Sequence, residues 1–491
     1  MPLRFALCNI HPVYFALFAI ASILATSSGC RQNPVSENNE VTVNNEEVIE
    51  SKITLAIVGE QELGAEIQRL WKTLRDADLE LKIVSSSEFA DEDFRSIADV
   101  DVLIYPSKFK ASLIASKKLA RLDRQFVELE ELDGRDLLRP YTEFLVKHGE
   151  FWVAVSLGEP QPVLLYRKDI FAKHNLRVPN TWEKYVEVAK TLSRIGEDQS
   201  SADEQSLFRT VELHTPGDWL FNLSMRAGPY FLTQGRYSTF FDVRSMEPYI
   251  ASPAFIKGME DLQSAYSGVD FSSPEEAYQD ILQHRASMVV TWPRVREPHL
   301  HPGNYQLDEP LEIGIAPLPG ATRRFDYSRN RWLESDPKRM LVRHEGFHGM
   351  LASVHAQTKQ IGTAKRFLSW LASGEVSSRL AGLSPNLAPT RSSHLDNIGV
   401  WLGYDLPAES QRIYAGLLRE ISNSDLRFNG LPLDQFETYA AELNTAVSKI
   451  LAGELSIEDA LEQTRTAWNK FTEETSIQKQ LELFRSSFGL Q

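Results

Sequence analysis

Cysteine is almost absent from this chain. Of the 491 residues only Cys8 and Cys30 are cysteines, and both lie in the first 30 positions. The rest of the chain therefore has no disulfide, no thiol nucleophile and no cysteine-based metal site. Every mechanism that depends on cysteine is excluded for the folded body.

Positive charge is also in deficit. The chain has 52 Lys and Arg against 67 Asp and Glu, which gives a formal net charge of −15. Nucleic acids and anionic lipids repel such a surface, so neither is expected as a partner. Hydrophobic residues make up 42% of the chain, enough for real cores, and its length exceeds one ordinary domain. We therefore expect two or three lobes and no disordered body.

After residue 50 the pattern alternates between strands and helices. A buried-type strand is predicted at 53–58 and further strands at 79–84 and 100–105, and residues 63–74 have helical spacing. This order predicts a parallel sheet, which ligands approach at the carboxyl ends of the strands. Two side chains at such ends are candidate ligand contacts: Glu60 and Ser107.

A series of longer motifs follows in a fixed order. The motifs are GEFWVAVS at 149–156, LLYRKDIF at 164–171, LRVPNTWEKY at 176–185, SMVVTW at 287–292, IGIAPLPG at 313–320, AKRFLSWLAS at 364–373, LSPNLAPTR at 383–391 and LAGELSIEDAL at 451–461. In this order they resemble the family 1 extracellular solute-binding proteins, the maltose-binding-like receptors of ABC importers. Trp152 and Ser156 depart from that family's pattern, which has Tyr and Pro there.

The resemblance implies an α/β fold of the two-lobed periplasmic-binding-protein type, class II, with lobes that are discontinuous in sequence and joined by a hinge. Crossovers are expected near 158–163, 311–316 and 384–390. Polar insertions at 196–203 and 323–339 lack periodicity and are interpreted as surface loops. The expected lobes are 51–160 plus 314–385, and 161–313 plus 386–491.

The N-terminus carries a targeting pattern. Arg4 precedes an apolar run at 13–24, too short to span a bilayer, and small residues at 25–29 lead to Cys30. This resembles a bacterial lipoprotein signal at 1–29, with acylation of Cys30 after cleavage; an ordinary secretory signal is the alternative. The Asn- and Glu-rich segment up to residue 50 is expected to be a disordered tether. The implied location is the cell envelope, lipid-anchored on the periplasmic or extracytoplasmic face.

One motif favours a different class of protein. His344, Glu345 and His348 satisfy H-E-x-x-H, which on a helix binds zinc with two imidazoles and uses the Glu as general base. Gly346 and Gly349 weaken a helix here, and residues 350–354 continue as a strand. A zinc-dependent hydrolase is therefore kept as the alternative, while Phe347 and His348 are candidate walls of a ligand cleft.

A sugar receptor needs flat aromatic side chains against the apolar faces of the rings, and polar groups at their edges. Trp71 and Trp370 lie on amphipathic helices and are expected in the core. Arg226, Arg294 and Arg296 leave an anionic ligand open as an alternative. The candidate ligand contacts are Glu60, Ser107, Trp152, Glu159, Trp219, Asn222, Trp292, Arg294, Phe347 and His348, and the candidate hinge residues are Tyr166, Pro317 and Pro385.

The resemblance implies a receptor that captures a small polar solute, a sugar or oligosaccharide, by hinge closure and delivers it to the permease subunits of an ABC importer. Neither a catalytic residue nor a cofactor or metal is expected, and the protein is expected to be a monomer. A receptor that feeds a membrane sensor is a second alternative.

Overall fold

The computed structural model describes residues 52–75, 77–90, 94–199, 201, 205–231, 239–295, 312–337, 340–403 and 406–490. The predicted lipid-attachment residue Cys30, its signal sequence and the tether lie outside the described residues, as does Arg296.

The strands belong to two five-stranded sheets and to short pairs outside them. In chain order they are β1 (Ile53–Val58), β2 (Leu79–Val84), β3 (Val102–Pro106), β4 (Lys147–His148), β5 (Phe151–Trp152), β6 (Val155–Gly158), β7 (Val163–Arg167), β8 (Thr210–Leu213), β9 (Asp270–Ser272), β10 (Met288–Thr291), β11 (Ile313–Ala316), β12 (Arg323–Asp326), β13 (Arg331–Glu334), β14 (Arg343–Glu345), β15 (Met350–Val354) and β16 (Arg427–Asn429).

Helices flank both sheets. They are α1 (Gln61–Arg75), α2 (Ser86–Phe89), α3 (Lys110–Ala115), α4 (Arg124–Val127), α5 (Lys168–Lys173), α6 (Trp182–Glu197), α7 (Leu220–Phe231), α8 (Pro253–Tyr266), α9 (Pro274–Leu282), α10 (Ile361–Leu371), α11 (Gly374–Arg379), α12 (Ser392–Asp396), α13 (Gly399–Leu402), α14 (Ala408–Asn423), α15 (Phe436–Leu451), α16 (Ile457–Glu474) and α17 (Ile477–Ser486).

The first sheet has the strand order β2-β1-β3-β15-β6. β1 pairs in parallel with both β2 and β3, as the sequence predicts, and β15 runs antiparallel to β3 and β6. The apolar face of α1 covers this sheet, and Trp71 packs edge-on against Trp370 of α10 at 4.8 Å. Both tryptophans are at least 98% buried, which confirms that they belong to the core.

The second sheet has the strand order β11-β7-β10-β8-β9. Its central strand β10 reads MVVT and is wholly buried, the composition of a strand covered on both faces. Helix α6 contacts the neighbouring strand β8. Thr181 is the N-cap of this helix, and its hydroxyl accepts a hydrogen bond from the Lys184 amide, as the capping pattern predicts.

The chain passes between the sheets where the sequence places its first crossover, between β6 and β7. Gly158 at this point has a φ of +121°, and a Cβ on it would collide with the main chain of Ala388 in the third predicted crossover. The expected second crossover lies differently: β11 is still paired with β7 in the second sheet, so the chain leaves that sheet after Ala316. The exact lobe boundaries stay a prediction.

The insertion at 323–339 is not the irregular loop expected from its polarity. β12 and β13 form an antiparallel hairpin whose Phe325 and Trp332 rings meet at 5.4 Å, and Trp332 lies 6.0 Å from Tyr230 of α7. These two aromatic side chains give the hairpin its apolar contacts, although most of the residues in the segment are polar or charged. Across the described part of the chain, no helix has the length and apolar character needed to span a membrane.

Candidate functional site

A cavity of about 890 Å³ opens between the two sheets. Lys108, just after β3 of the first sheet, lies on one side, and the turn at 215–218, just after β8 of the second sheet, lies on the other. Both elements follow carboxyl ends of strands, where ligand sites of α/β sheets form. We call this cavity the cleft. It is lined by Lys108, Thr215, Pro216, Gly217, Asp218, Leu220, Gly346, Phe347, Leu431, Phe436, Glu437, Ala440, Ala441, Asn444, Thr445, Ser448, Lys449, Ala452 and Glu454.

One wall of the cleft is a face of α15. Small and polar side chains follow one another along it at helical spacing, from Ala440 and Ala441 to Asn444 and Ser448. The Asn444 side-chain oxygen accepts a hydrogen bond from the amide of Trp219 at 2.8 Å, which holds the opposite wall in place. Small side chains let a ligand approach the helix closely.

The floor of the cleft is the loop that carries Phe347. Glu159, which is 98% buried, holds this loop: Oε1 accepts from the amides of Phe347 and His348, each at 2.9 Å. Its other oxygen accepts from the Ser107 hydroxyl at 2.8 Å. Burial raises the pKa of Glu159, and these hydrogen bonds oppose that shift. Glu159 and Ser107 therefore support the floor and bind each other.

Charges of both signs meet along the cleft. Lys108 and Lys449 carry positive charge, and Asp218, Glu437 and Glu454 carry negative charge. Partial desolvation raises the pKa of Glu437, while a backbone hydrogen bond and the charge of Lys108 oppose that shift. With the signs nearly balanced, the cleft suits a neutral polar solute better than a strongly charged one.

The predicted aromatic platforms do not line the cleft. Trp219 is only 8% exposed, and its ring stacks on His214 at 4.0 Å and contacts Phe271 at 5.3 Å. Asn222 is 99% buried and bonds to the Leu213 carbonyl and to His214, so it fixes the same cluster. Neither residue lines the cleft; both pack with His214 and support the turn at 215–218, which does.

Trp292 and Arg294 lie at the crossing near 382–385. The Trp292 indole is 2% exposed and donates to the Pro385 carbonyl at 2.9 Å, and its ring is 5.3 Å from the His348 ring. Arg294 pairs with Glu275 at 2.9 Å and donates to the Gly382 carbonyl. Both side chains are engaged by the protein itself.

Trp152 lies elsewhere. It is buried within the first sheet's core and borders a separate surface concavity of about 920 Å³ near 127–135.

Glu60 accepts hydrogen bonds from Ser384 and Asn386, at 2.7 and 2.9 Å, and so connects the end of β1 to the third crossover. Of the ten predicted contacts, Phe347 lines the cleft directly; Glu159, Ser107 and His348 hold or flank its floor.

The predicted hinge residues occupy different settings. Tyr166 sits within β7, with paired strands on both sides, and covers Gly314. Pro317 directly follows β11 and borders a small cavity with Pro162 and His344. The Pro385 carbonyl holds Trp292. The hinge role of all three stays a prediction.

The H-E-x-x-H residues are not on a helix. His344 and Glu345 lie in β14, and Gly346 turns the chain with a φ of +78°. The His344 ring packs against Phe221 and Phe428, and burial lowers the pKa of both His344 and His348 to about 3. In the part of the chain that the structure describes, no group of three or more His, Cys, Asp or Glu is placed to hold a metal ion.

Sequence reasoning missed the walls of the cleft. The run of small polar residues on α15 is an available signal, because a face made of Ala, Asn, Thr and Ser is unsuited to a core. The Pro-Gly-Asp turn before Trp219 is a second signal. The residues of this turn line the cleft, whereas Trp219 itself does not.

Comparison with family models identifies one family, and comparison with solved structures identifies the fold. The model of the bacterial extracellular solute-binding protein family matches residues 97–376, more than half of the chain. No curated protein sequence matches. Among solved structures, an ABC transporter solute-binding protein of Agrobacterium vitis with bound D-mannitol has a TM-score of 0.60 at 15% identity, covering 87% of this chain and 99% of its own.

Two maltose-type proteins have the same fold. The sugar-binding protein MalE of Xanthomonas citri has a TM-score of 0.61 at 13% identity, over 87% of this chain and 98% of its own. Maltose-bound MalE3 of T. maritima has a TM-score of 0.59 at 16% identity, over 86% and 99%. At these identities the likeness establishes the two-lobed fold.

Proposed function

Because this chain belongs to the bacterial extracellular solute-binding protein family, we propose that it is a receptor for a neutral sugar, oligosaccharide or polyol. It takes up this solute in the cleft by hinge closure and delivers it to the permease of an ABC importer. The protein acts on the extracytoplasmic side of the membrane, to which the acyl chains on Cys30 anchor it. The observation that carries the proposal is the cleft itself, with polar walls, an apolar floor and nearly balanced charge.

Two of the three arginines that left an anionic ligand open, Arg226 and Arg294, are within the described residues and argue for a neutral ligand. Arg226 is fully buried, pairs with Glu212 at 2.7 Å and lies over the Trp182 ring. Arg294 is paired with Glu275. Neither guanidinium is available to a ligand, and a phosphate or carboxylate would meet the carboxylates of the cleft instead.

The cleft volume also bears on ligand size. Ligand pockets are typically about 300–1,000 Å³, and 890 Å³ is near the upper end. Such a volume favours a disaccharide or longer oligosaccharide over a single small polyol. The structures with bound mannitol and maltose supply the first two compounds to test.

A thermal-shift and calorimetric screen tests the proposal. It compares mannitol, maltose and longer glucose oligomers with glucuronate and glucose 6-phosphate. We expect saturable binding of a neutral compound, and binding of the charged compounds alone would contradict the neutral-ligand assignment.

A pair of variants locates the site. Ala441→Trp places a large ring in the cleft from an exposed helix position and should abolish binding while the protein stays folded. Thr438→Trp, also exposed on α15 but not lining the cleft, is the matched control and should bind normally. Equal affinities of the two variants would place the solute elsewhere.

A further inference from the structure

A second, smaller cavity of about 40 Å³ adjoins the cleft. Lys108, Gly346 and Leu431 line both, so the two spaces share a boundary. We call the smaller one the side pocket.

Two polar side chains of the side pocket have groups without a hydrogen-bond partner. Glu345 is 3% exposed and Asn429 is 8% exposed, and they stand directly opposite each other where β14 pairs with β16. Within the described residues, Oε2 of Glu345 and the amide nitrogen of Asn429 lack a hydrogen-bond partner, whereas Oε1 of Glu345 lies 2.6 Å from Arg343 Nε. A buried polar group without a partner costs about 1–3 kcal/mol, so these atoms favour a hydrogen-bonding occupant.

The charges around the side pocket define what that occupant can be. Arg343 Nε pairs with Oε1 of Glu345, so Oε2 is the Glu345 oxygen that remains for an occupant. Lys110 donates to the carbonyls of Phe144 and Lys147, which leaves one of its three N–H donors for the pocket. Burial lowers the pKa of Lys110 to about 8, while Glu345 opposes that shift.

The pocket therefore offers acceptors from Glu345 beside donors from Asn429 and Lys110. A hydroxyl group matches this set, because it donates and accepts at the same time. A carboxylate or phosphate would place its oxygens against those of Glu345.

The size of the side pocket limits it to the end of a molecule. A water molecule needs about 10–15 Å³ on this measure, so 40 Å³ holds roughly three groups of that size. A hydroxymethyl group has two heavy atoms and fits, whereas a sugar ring does not.

We propose that the side pocket is a subsite for the primary-alcohol end, CH₂OH, of the neutral solute bound in the cleft, held by Glu345, Asn429 and Lys110. This assignment rests on the proposed function of the cleft. It narrows the solute to polyols and sugars with a free hydroxymethyl group.

The test begins with the neutral compound that binds best in the screen and its analogue with CH₃ in place of every CH₂OH group, as 6-deoxyglucose is to glucose. In wild type the analogue should bind at least ten-fold more weakly, about 1.4 kcal/mol. Asn429→Ala removes the amide donor and should weaken the parent compound by about the same factor. It should leave the analogue's affinity and the melting temperature of the free protein nearly unchanged.

A second variant fills the pocket without removing polar groups. Ala111 is buried and lines the side pocket but not the cleft, and Ala111→Val should also abolish the preference for the parent compound. Equal binding of parent and analogue to wild type, or an unchanged preference in both variants, overturns the subsite while leaving the cleft assignment intact. If no neutral compound binds, or if Ala441→Trp and wild type bind alike, the proposed function fails and the subsite with it.

Discussion

The carboxylate of Glu159 accepts a hydrogen bond of 2.9 Å from the main-chain amide of Phe347. The two residues are far apart in sequence, and the bond joins the end of β6 to the floor of the cleft. Phe347, the predicted ligand contact that lines the cleft, is therefore held in position by the buried carboxylate of Glu159.

Glu159→Ala should destabilise the protein by about 3 kcal/mol or more, because it leaves the buried amide of Phe347 and its neighbour without an acceptor. Urea unfolding measures this loss. Ser107→Ala removes one hydrogen bond to the same carboxylate and should cost about 1 kcal/mol. Equal losses for the two variants would mean that the carboxylate does not hold the loop.

Trp292→Ala should lower the free energy of unfolding by about 3–5 kcal/mol, because it removes a large buried ring. Melting of the ligand-free protein measures this effect. Trp292→Phe keeps an aromatic ring but loses the hydrogen bond to Pro385, and should be less destabilising. A Trp292→Ala protein of normal stability with lost affinity would restore Trp292 as a ligand platform.

Acid should destabilise the protein through His344 and His348. Burial lowers the pKa of each imidazole from 6.5 to about 3, so the unfolded chain binds more protons than the folded one between these values. Stability is therefore lost as the pH falls below 6.5, by up to about 1.4 kcal/mol per pH unit for each histidine. Urea unfolding at a series of pH values measures the slope.

The variant His348→Gln should flatten that slope by the contribution of one histidine. The slope of the unfolding free energy between pH 6.5 and pH 4.5 is compared in wild type and variant. A lower stability of the variant at neutral pH does not affect this slope. An unchanged slope would show that His348 titrates normally in the folded protein.

Cys30→Ser should release the protein from the membrane fraction, because the variant has no thiol to acylate. Fractionation followed by immunoblotting measures the distribution, and Cys8→Ser is the matched control that should remain membrane-bound. A processed Cys30→Ser protein that stays with the membrane would contradict the lipid anchor.

Local pattern is sufficient to predict several strands of the two large sheets. Runs such as ITLAIV in β1 and MVVT in β10 have the composition of buried strands, and the structure has strands at both. The hairpin β12–β13 does not stand out in the sequence, because its apolar side chains are few and Trp332 packs against Tyr230, which is distant in sequence. Burial against partners elsewhere in the chain leaves no local periodicity.

The site was harder to predict for a similar reason. The chemistry of Trp219 and Trp292 suits a sugar platform, but both are buried, because a large ring near a strand end can turn toward the core or toward the cleft with the same local sequence. The residues that line the cleft, such as Asn444 and Ser448, are small and polar and do not stand out one at a time. Only their common face on α15 indicates a role.

Different residues support the floor of the cleft and line its wall, and this separation affects how the ligand specificity of such a receptor can evolve. Its floor is fastened by Glu159, whereas several wall positions on α15, among them Ala441, Thr445 and Ser448, are exposed and contribute little to folding. Substitutions there alter what the solute meets without weakening the scaffold. New ligand preferences can therefore arise one helix position at a time, in a protein that remains folded throughout.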